Sequence, residues 1–412
     1  MNNQGFLILV LLCGLAACKD IKWVKTDFSY TGKTITHMTH QGTSDGTMYV
    51  AYEDKLNGLN RIVWKAISKE GNINIKSTLE ERNVSRGFEG IATQISNDSK
   101  HLLVAFFGCY NERLLHDLEG SVKDCASVYF TESVDGGVRW STPVQVSESG
   151  IYIPPKSSIS LVLEGDTGRV YLFHAMKASE SASNSQIVVY VREPNEKAFK
   201  NMNVYDLMYL HNLGPFSASV TRDDFRGTRY VHLIMAINGN MVHSRSNDKG
   251  RTWSAHTHIA QGITPYNSNY VAYSQYHPES FYIIYRKEND RKVYIASTYN
   301  QGDSFRQTLI GDSSRPNQET IGFCGIEFKG SMAIVSHIDP DPTNIFIKVD
   351  TGAPYLMNLK NPFENVRGAP ITNLMIDCAY KGDHKFYITF YILTRAETER
   401  MYVAFGILEP YD

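Results

Sequence analysis

Seven side chains able to grip a polar, anionic molecule stand beside turn-forming residues in this chain. Arg86, in Ser85-Arg86-Gly87-Phe88-Glu89, and Arg367, in Val366-Arg367-Gly368-Ala369, are each followed by glycine, which lets backbone approach a ligand closely. Glu89 shares the first of these segments. Lys156 lies in Pro154-Pro155-Lys156-Ser157, Tyr266 in Pro265-Tyr266-Asn267, Glu319 in Asn317-Gln318-Glu319, and Arg286 closes a run of apolar residues. Guanidinium forks match the geometry of a carboxylate, so Arg86, Arg286 and Arg367 are candidates for an anion clamp. Lysine, tyrosine and two glutamates around such a clamp suit an acidic sugar. Other chemistries lack their signatures. There is no G-x-S-x-G elbow, phosphate-binding glycine-rich loop, H-E-x-x-H helix or C-x-x-C pair. No metal or cofactor is expected. Asp339-Pro340-Asp341-Pro342 reads as a solvated turn rather than a calcium site.

The 412 residues carry 41 Lys+Arg against 43 Asp+Glu, a balance without the basic excess that nucleic-acid binding requires. Hydrophobic residues at 42% exclude a disordered chain. Twenty-five Tyr and 19 Phe favour pleated surfaces and point to β-structure.

A repeat organises the chain. Ser133-Val134-Asp135-Gly136-Gly137-Val138-Arg139-Trp140 and Ser246-Asn247-Asp248-Lys249-Gly250-Arg251-Thr252-Trp253 both read S-x-D-x-G-x-x-W after a strand-like run. In such a hairpin Ser and Asp side chains bond turn amides, Gly takes a positive φ, and the aromatic tucks beneath. Weaker copies occur at Thr298 to Phe305, Lys348 to Tyr355, Arg192 to Phe199 and Ser68 to Gly71. The spacing is near the roughly 40–50 residues of a propeller blade. Seven strand-like runs accompany them: Met48–Tyr52, Leu102–Phe106, Val170–Phe173, Tyr230–Ile234, Phe281–Tyr285, Met332–Val335 and Phe386–Phe390. The seventh repeat ends without a turn of its own, and Ile21–Lys25 can supply its missing outer strand.

These turns resemble the Asp-box of the sialidase (BNR-repeat) superfamily. The resemblance implies an all-β fold, a seven-bladed β-propeller with four-stranded antiparallel blades closed by the N-terminal strand, with six blades the alternative. It also implies structural roles for Ser133, Asp135, Gly137, Trp140, Ser246, Asp248, Gly250 and Trp253. A ligand would sit where loops leading into the innermost strands meet, the loops that carry the candidate residues above other than Arg286. Sialidases of this kind hold the substrate carboxylate with three arginines, use a Tyr–Glu pair as nucleophile and an Asp as acid/base. Here Arg61-Ile62-Val63 lacks the proline of the family's first arginine motif. His337 stands where a second arginine would follow Glu327. Two readings follow: a module that binds a glycan or protein partner without hydrolysis, and an exo-sialidase or related glycoside hydrolase with rearranged residues.

Residues 1–17 have the form of a secretory signal peptide, leaving residues 18–412 as a single domain. Leu15-Ala16-Ala17-Cys18 also resembles a bacterial lipobox, which would lipidate Cys18. Both readings place the chain outside the cytoplasm, secreted or at the cell surface (periplasmic or outer-membrane lipoprotein if bacterial), with a membrane met only through Cys18. Cys109 and Cys125 bracket a polar insertion and are expected to pair, while Cys324 and Cys378 stand equivalently in neighbouring repeats.

Overall fold

The computed structural model describes the chain from Val24 to Leu408 except for connecting segments, among them 29–37, 83–89, 110–125, 149–158, 264–269, 313–322 and 359–370, and describes side chains between residues 43 and 309. Its strands form seven separate antiparallel sheets. The N-terminal strand β1 (Val24–Phe28) belongs to the last of them. The first sheet is β2 (Met38–Gly42), β3 (Met48–Leu56), β4 (Leu59–Ile67) and β5 (Ile73–Arg82). The second is β6 (Ile91–Ile95), β7 (Leu102–Cys109), β8 (Ala126–Ser133) and β9 (Val144–Gln145). The third is β10 (Ile159–Glu164), β11 (Arg169–Lys177), β12 (Asn184–Arg192) and β13 (Lys200–Asn201), with the short β14 (Leu210–His211) also on β12. The fourth is β15 (Leu213–Arg222), β16 (Arg229–Ile237), β17 (Asn240–Ser246) and β18 (Thr257–Gln261). The fifth is β19 (Tyr270–Tyr273), β20 (Phe281–Arg286), β21 (Lys292–Thr298) and β22 (Arg306–Asp312). The sixth is β23 (Phe323–Phe328), β24 (Ser331–His337), β25 (Asn344–Val349) and β26 (Tyr355–Asn358). The seventh is β27 (Ile371–Gly382), β28 (Lys385–Thr394) and β29 (Arg400–Leu408), completed by β1.

All seven strand-like runs of the sequence are second strands of these sheets. The outer strand of the seventh sheet begins at Val24, three residues later than Ile21, and pairs antiparallel with β29 through Val24–Phe405 to Phe28–Met401. Trp23 lies outside the described residues. First strands adjoin in chain order, β2 to β6, β10, β15, β19, β23 and β27, and β27 adjoins β2.

The core lies between sheets rather than under one. Along β7, Leu102, Val104 and Phe106 pack on Trp64 and Tyr49 of the first sheet, while Leu103, Ala105 and Phe107 pack on Leu161 and Leu172 of the third. In β11, Val170 and Leu172 face the second sheet, and Tyr171, Phe173 and Ala175 face Phe216 and Leu233 of the fourth. Both faces of the second and third sheets are thus covered. Their second strands are apolar at nearly every position, where a strand with one wet face would alternate. Each Val, Leu or Phe among them contributes about 1.5–3 kcal/mol when fully buried.

Candidate functional site

The Asp-box-like turns connect third strands to fourth strands, at the end of the sheets where first strands also turn into second. In the second sheet Ser133 Oγ donates to Asp135 Oδ1 (2.9 Å) and accepts from the Gly137 amide (2.9 Å). Asp135 Oδ1 accepts from the Arg139 amide (2.9 Å), and Trp140 Nε1 donates to the Gly137 carbonyl (3.1 Å). The fourth sheet repeats this with Ser246, Asp248, Gly250, Thr252 and Trp253. The fifth does so with Thr298 and Asn300, whose Oδ1 accepts from Thr298 Oγ1 (2.9 Å) and the Ser304 amide (3.1 Å). In all three, two successive residues take positive φ: Gly136 and Gly137, Lys249 and Gly250, Gln301 and Gly302.

Each turn also reaches the sheet before it. Trp140 meets Trp64 edge-on at 5.0 Å, Phe199 meets Phe130 at 4.9 Å, Trp253 meets Phe173 at 6.4 Å and Phe305 meets His243 at 5.4 Å. The box glycines lie against the third strand of that same preceding sheet, at Trp64, Val189 and His243. Through these contacts one turn ties two sheets. Sequence reading missed one part of the motif: the serine after each tryptophan. Ser141 Oγ accepts from the Glu132 amide (3.1 Å) and Ser254 Oγ from the Arg245 amide (3.1 Å), extending the ladder into the turn.

Charged groups at this end are likewise paired across sheets. Arg192 of the third sheet makes a two-pronged contact with Glu132 of the second, at 2.7 Å to each oxygen, and its guanidinium covers Phe130. His101 Nε2 lies 2.8 Å from the same carboxylate. Burial pushes Glu132 up, but His101 and Arg192 outweigh it and bring its carboxyl to about 2. Glu164 meets Arg169 and, from the fourth sheet, Arg229, both at 2.7 Å, and Arg229 also bonds Asp166. Asp135 is held at about 2 by the Arg139 amide and guanidinium. Burial raises Asp248, but bonds from Thr252 and Ser246 leave it below the usual range. Among the described residues, every carboxylate with a displaced pKa is lowered. Nor do three or more described His, Cys, Asp or Glu side chains gather to hold a metal.

Arg86, Glu89, Lys156, Tyr266, Glu319 and Arg367 lie outside the described residues, as do Cys18 and Cys125. By chain order Arg86 and Glu89 fall between β5 and β6, Lys156 between β9 and β10, and Tyr266 between β18 and β19. Glu319 falls between β22 and β23, and Arg367 between β26 and β27. Arg286 is the last residue of β20, opposite Val293. First strands begin, and second strands finish, at the end opposite the Asp-box turns. Cys109 ends β7 in register with Ala126, the neighbour of Cys125.

No family model matches the chain, and no curated protein matches it. Solved structures do. A protein of unknown function from Dyadobacter fermentans superposes with a TM-score of 0.54 at 10% identity, over 96% of this chain and 100% of that one. The likeness is one of fold. The polysaccharide lyase Uly1 aligns with a TM-score of 0.49 at 12% identity, covering 92% of this chain and 90% of its own. The NanB sialidase of Streptococcus pneumoniae aligns at 0.45 and 10% identity, covering 97% and 96%.

Proposed function

We propose that this chain is an exported, sialidase-like β-propeller of seven blades that binds a glycan or protein partner without hydrolysing it. The observation that carries the reading is a division between two ends. At the Asp-box end, Glu132, Glu164, Arg192 and Arg229 are engaged in ties between sheets. The seven candidate ligand residues fall, by chain order, at connections or strand ends of the opposite end. The cyclic adjacency of first strands supports a mouth there, lined by connections from several blades. Arg86, Arg286 and Arg367 would contact the anion, with Lys156, Tyr266, Glu89 and Glu319 around it. The departures at Arg61-Ile62-Val63 and His337 favour binding over turnover. A signal peptide over residues 1–17, with or without lipid on Cys18, and a Cys109–Cys125 disulfide belong to the same reading.

The test is a glycan array and a fluorogenic sialoside assay on the mature chain. Binding without turnover is expected. Arg86→Ala and Arg367→Ala should each weaken binding by about 10- to 100-fold, the loss typical of a hydrogen bond to a charged group. Sialoside turnover that disappears in both variants would contradict the non-hydrolytic reading.

A further inference from the structure

Between the fourth and fifth sheets lies a buried polar chain that the binding reading does not use. His232 of β16 and His243 of β17 are 0% and 1% exposed, with His232 Nδ1 2.9 Å from His243 Nε2. His232 Nε2 lies 2.7 Å from Thr221 Oγ1 of β15, and that hydroxyl donates across the seam to Gln301 Oε1 of the fifth sheet. The far edge of the His243 ring abuts Gly302, so close that a methyl group there would overlap it. Gln301 and Gly302 are the two positive-φ residues of the third Asp-box-like turn. The histidine pair is thus wedged directly behind the turn that ties the fifth sheet to the fourth.

We infer that the His232–His243 pair is an acid-sensitive latch, whose double protonation releases the Asn300–Phe305 turn from the fourth sheet. Two neutral imidazoles carry two protons among four ring nitrogens. One more can be placed without losing a bond, on His243 Nδ1 beside Gly302. A further one sets N–H against N–H across 2.9 Å and forces the rings apart. Charge opposes even the first addition. Arg245 of β17 spans the same seam, donating to the Gln301 carbonyl (3.0 Å) and pairing with Asp303 (2.8 Å), with its guanidinium over Tyr230.

Other titratable or polar groups facing the pair are Ser219 and Thr221 from β15, Tyr230 from β16, Thr257 from β18 and His256 from the segment before it. From the fifth sheet Gln301 faces it, Asp303 stands beyond Arg245, and Phe281 and Phe305 pack on the rings as apolar neighbours. Asp303, the carboxylate among these groups, is already engaged by Arg245. Burial, then the charge of Arg245, bring His243 down to about 3 despite the polar backbone of Gly302 beside it. Burial, followed by the charges of His243 and Arg245, pushes His232 well below its ordinary value. An opened turn exposes both rings to water, where an imidazole takes its proton near pH 6.5. Opening therefore takes up protons. Its equilibrium constant rises by about tenfold per pH unit of acidification for each ring that gains its proton only in the open state.

The experiment is amide hydrogen exchange of the full chain at pH 7, 6 and 5, corrected for intrinsic rate. The Asn300–Phe305 amides should open about tenfold more or beyond between pH 6 and 5, and His232→Gln with His243→Gln should cut that response below about twofold. His174→Gln, a buried histidine in another sheet, should leave it unchanged. Should the double variant fail to fold, carbon-13 labelling of histidine Cε1 in the unaltered chain decides. Ring resonances that titrate together with turn opening support the latch. Rings that titrate near pH 6.5 while the turn stays protected, or a double variant as acid-sensitive as the parent, would overturn it.

Discussion

The glycine of an Asp-box-like turn answers two demands at once. At Gly137 φ is +91°, and a methyl group would sit 2.7 Å from Trp64 Nε1 and 3.1 Å from Leu102 Cδ1. A left-handed alanine costs about 1–2 kcal/mol, and overpacking a core about 1–3 kcal/mol more. Gly137→Ala should therefore lose about 2–5 kcal/mol in urea unfolding; a loss of only about 1–2 kcal/mol would show that Trp64 gives way freely and that the backbone term alone remains. His174 makes a second test. Packed between Phe107 and Tyr190 and fully buried, it is pushed by desolvation down to about 4. Its unfolded value is near 6.5, so the unfolded chain binds more protons between those two limits. The stability contributed by the neutral ring is complete above about pH 6.5 and is lost as pH falls toward 4, up to about 3 kcal/mol in all. Replacing His174 with Phe should flatten that part of the stability profile. Glu132, lowered to about 2, acts in a more acidic window and its contribution fades only below about pH 4.5.

The turns themselves were legible because their chemistry is local. Ser133, Asp135 and Gly137 sit within five residues of one another, and the same three roles recur at Ser246, Asp248 and Gly250. Asn300 shows which part of the carboxylate matters, since its amide oxygen accepts the same two bonds as Asp248 Oδ1. Asp248→Asn should consequently lower the unfolding midpoint less than half as much as Asp248→Ala, whose expected cost is about 1–2 kcal/mol. Equal losses would mean that charge, not acceptor geometry, holds the turn. What the sequence concealed is long-range. Nothing near Arg192 marks Glu132, 60 positions away, as its partner. His232 and His243 each look like ordinary strand residues until the hairpin sets them diagonally. The candidate ligand residues are legible only as types beside turns, because their meeting depends on connections far apart in the chain. The proposed Cys109–Cys125 disulfide is simpler to check: the register of β7 with β8 brings Cys109 opposite Ala126, the residue that follows Cys125 in the chain. Intact mass under non-reducing conditions should show the loss of a pair of hydrogens, and free thiols at both positions would refute the pairing.

At the scale of the molecule, apolar second strands announced sheets covered on both faces, and seven such runs became seven sheets. β1 leaves its neighbour β29 no open edge, and a sheet edge closed by the other end of the chain resists both fraying and association. As an outer strand following a third strand, β1 starts at the Asp-box end. A lipid on Cys18, a few residues ahead of Val24, would hold the Asp-box end toward a membrane and leave the opposite end facing outward. The central claim, that the first and last segments share one sheet, is tested most directly by cross-linking. Thr26 and Val403 are register partners, so Thr26→Cys with Val403→Cys should form a disulfide under mild oxidation and raise Tm. Thr26→Cys with Leu408→Cys, well out of register, should not. Failure of the in-register pair, or equal yields from both pairs, would contradict the account.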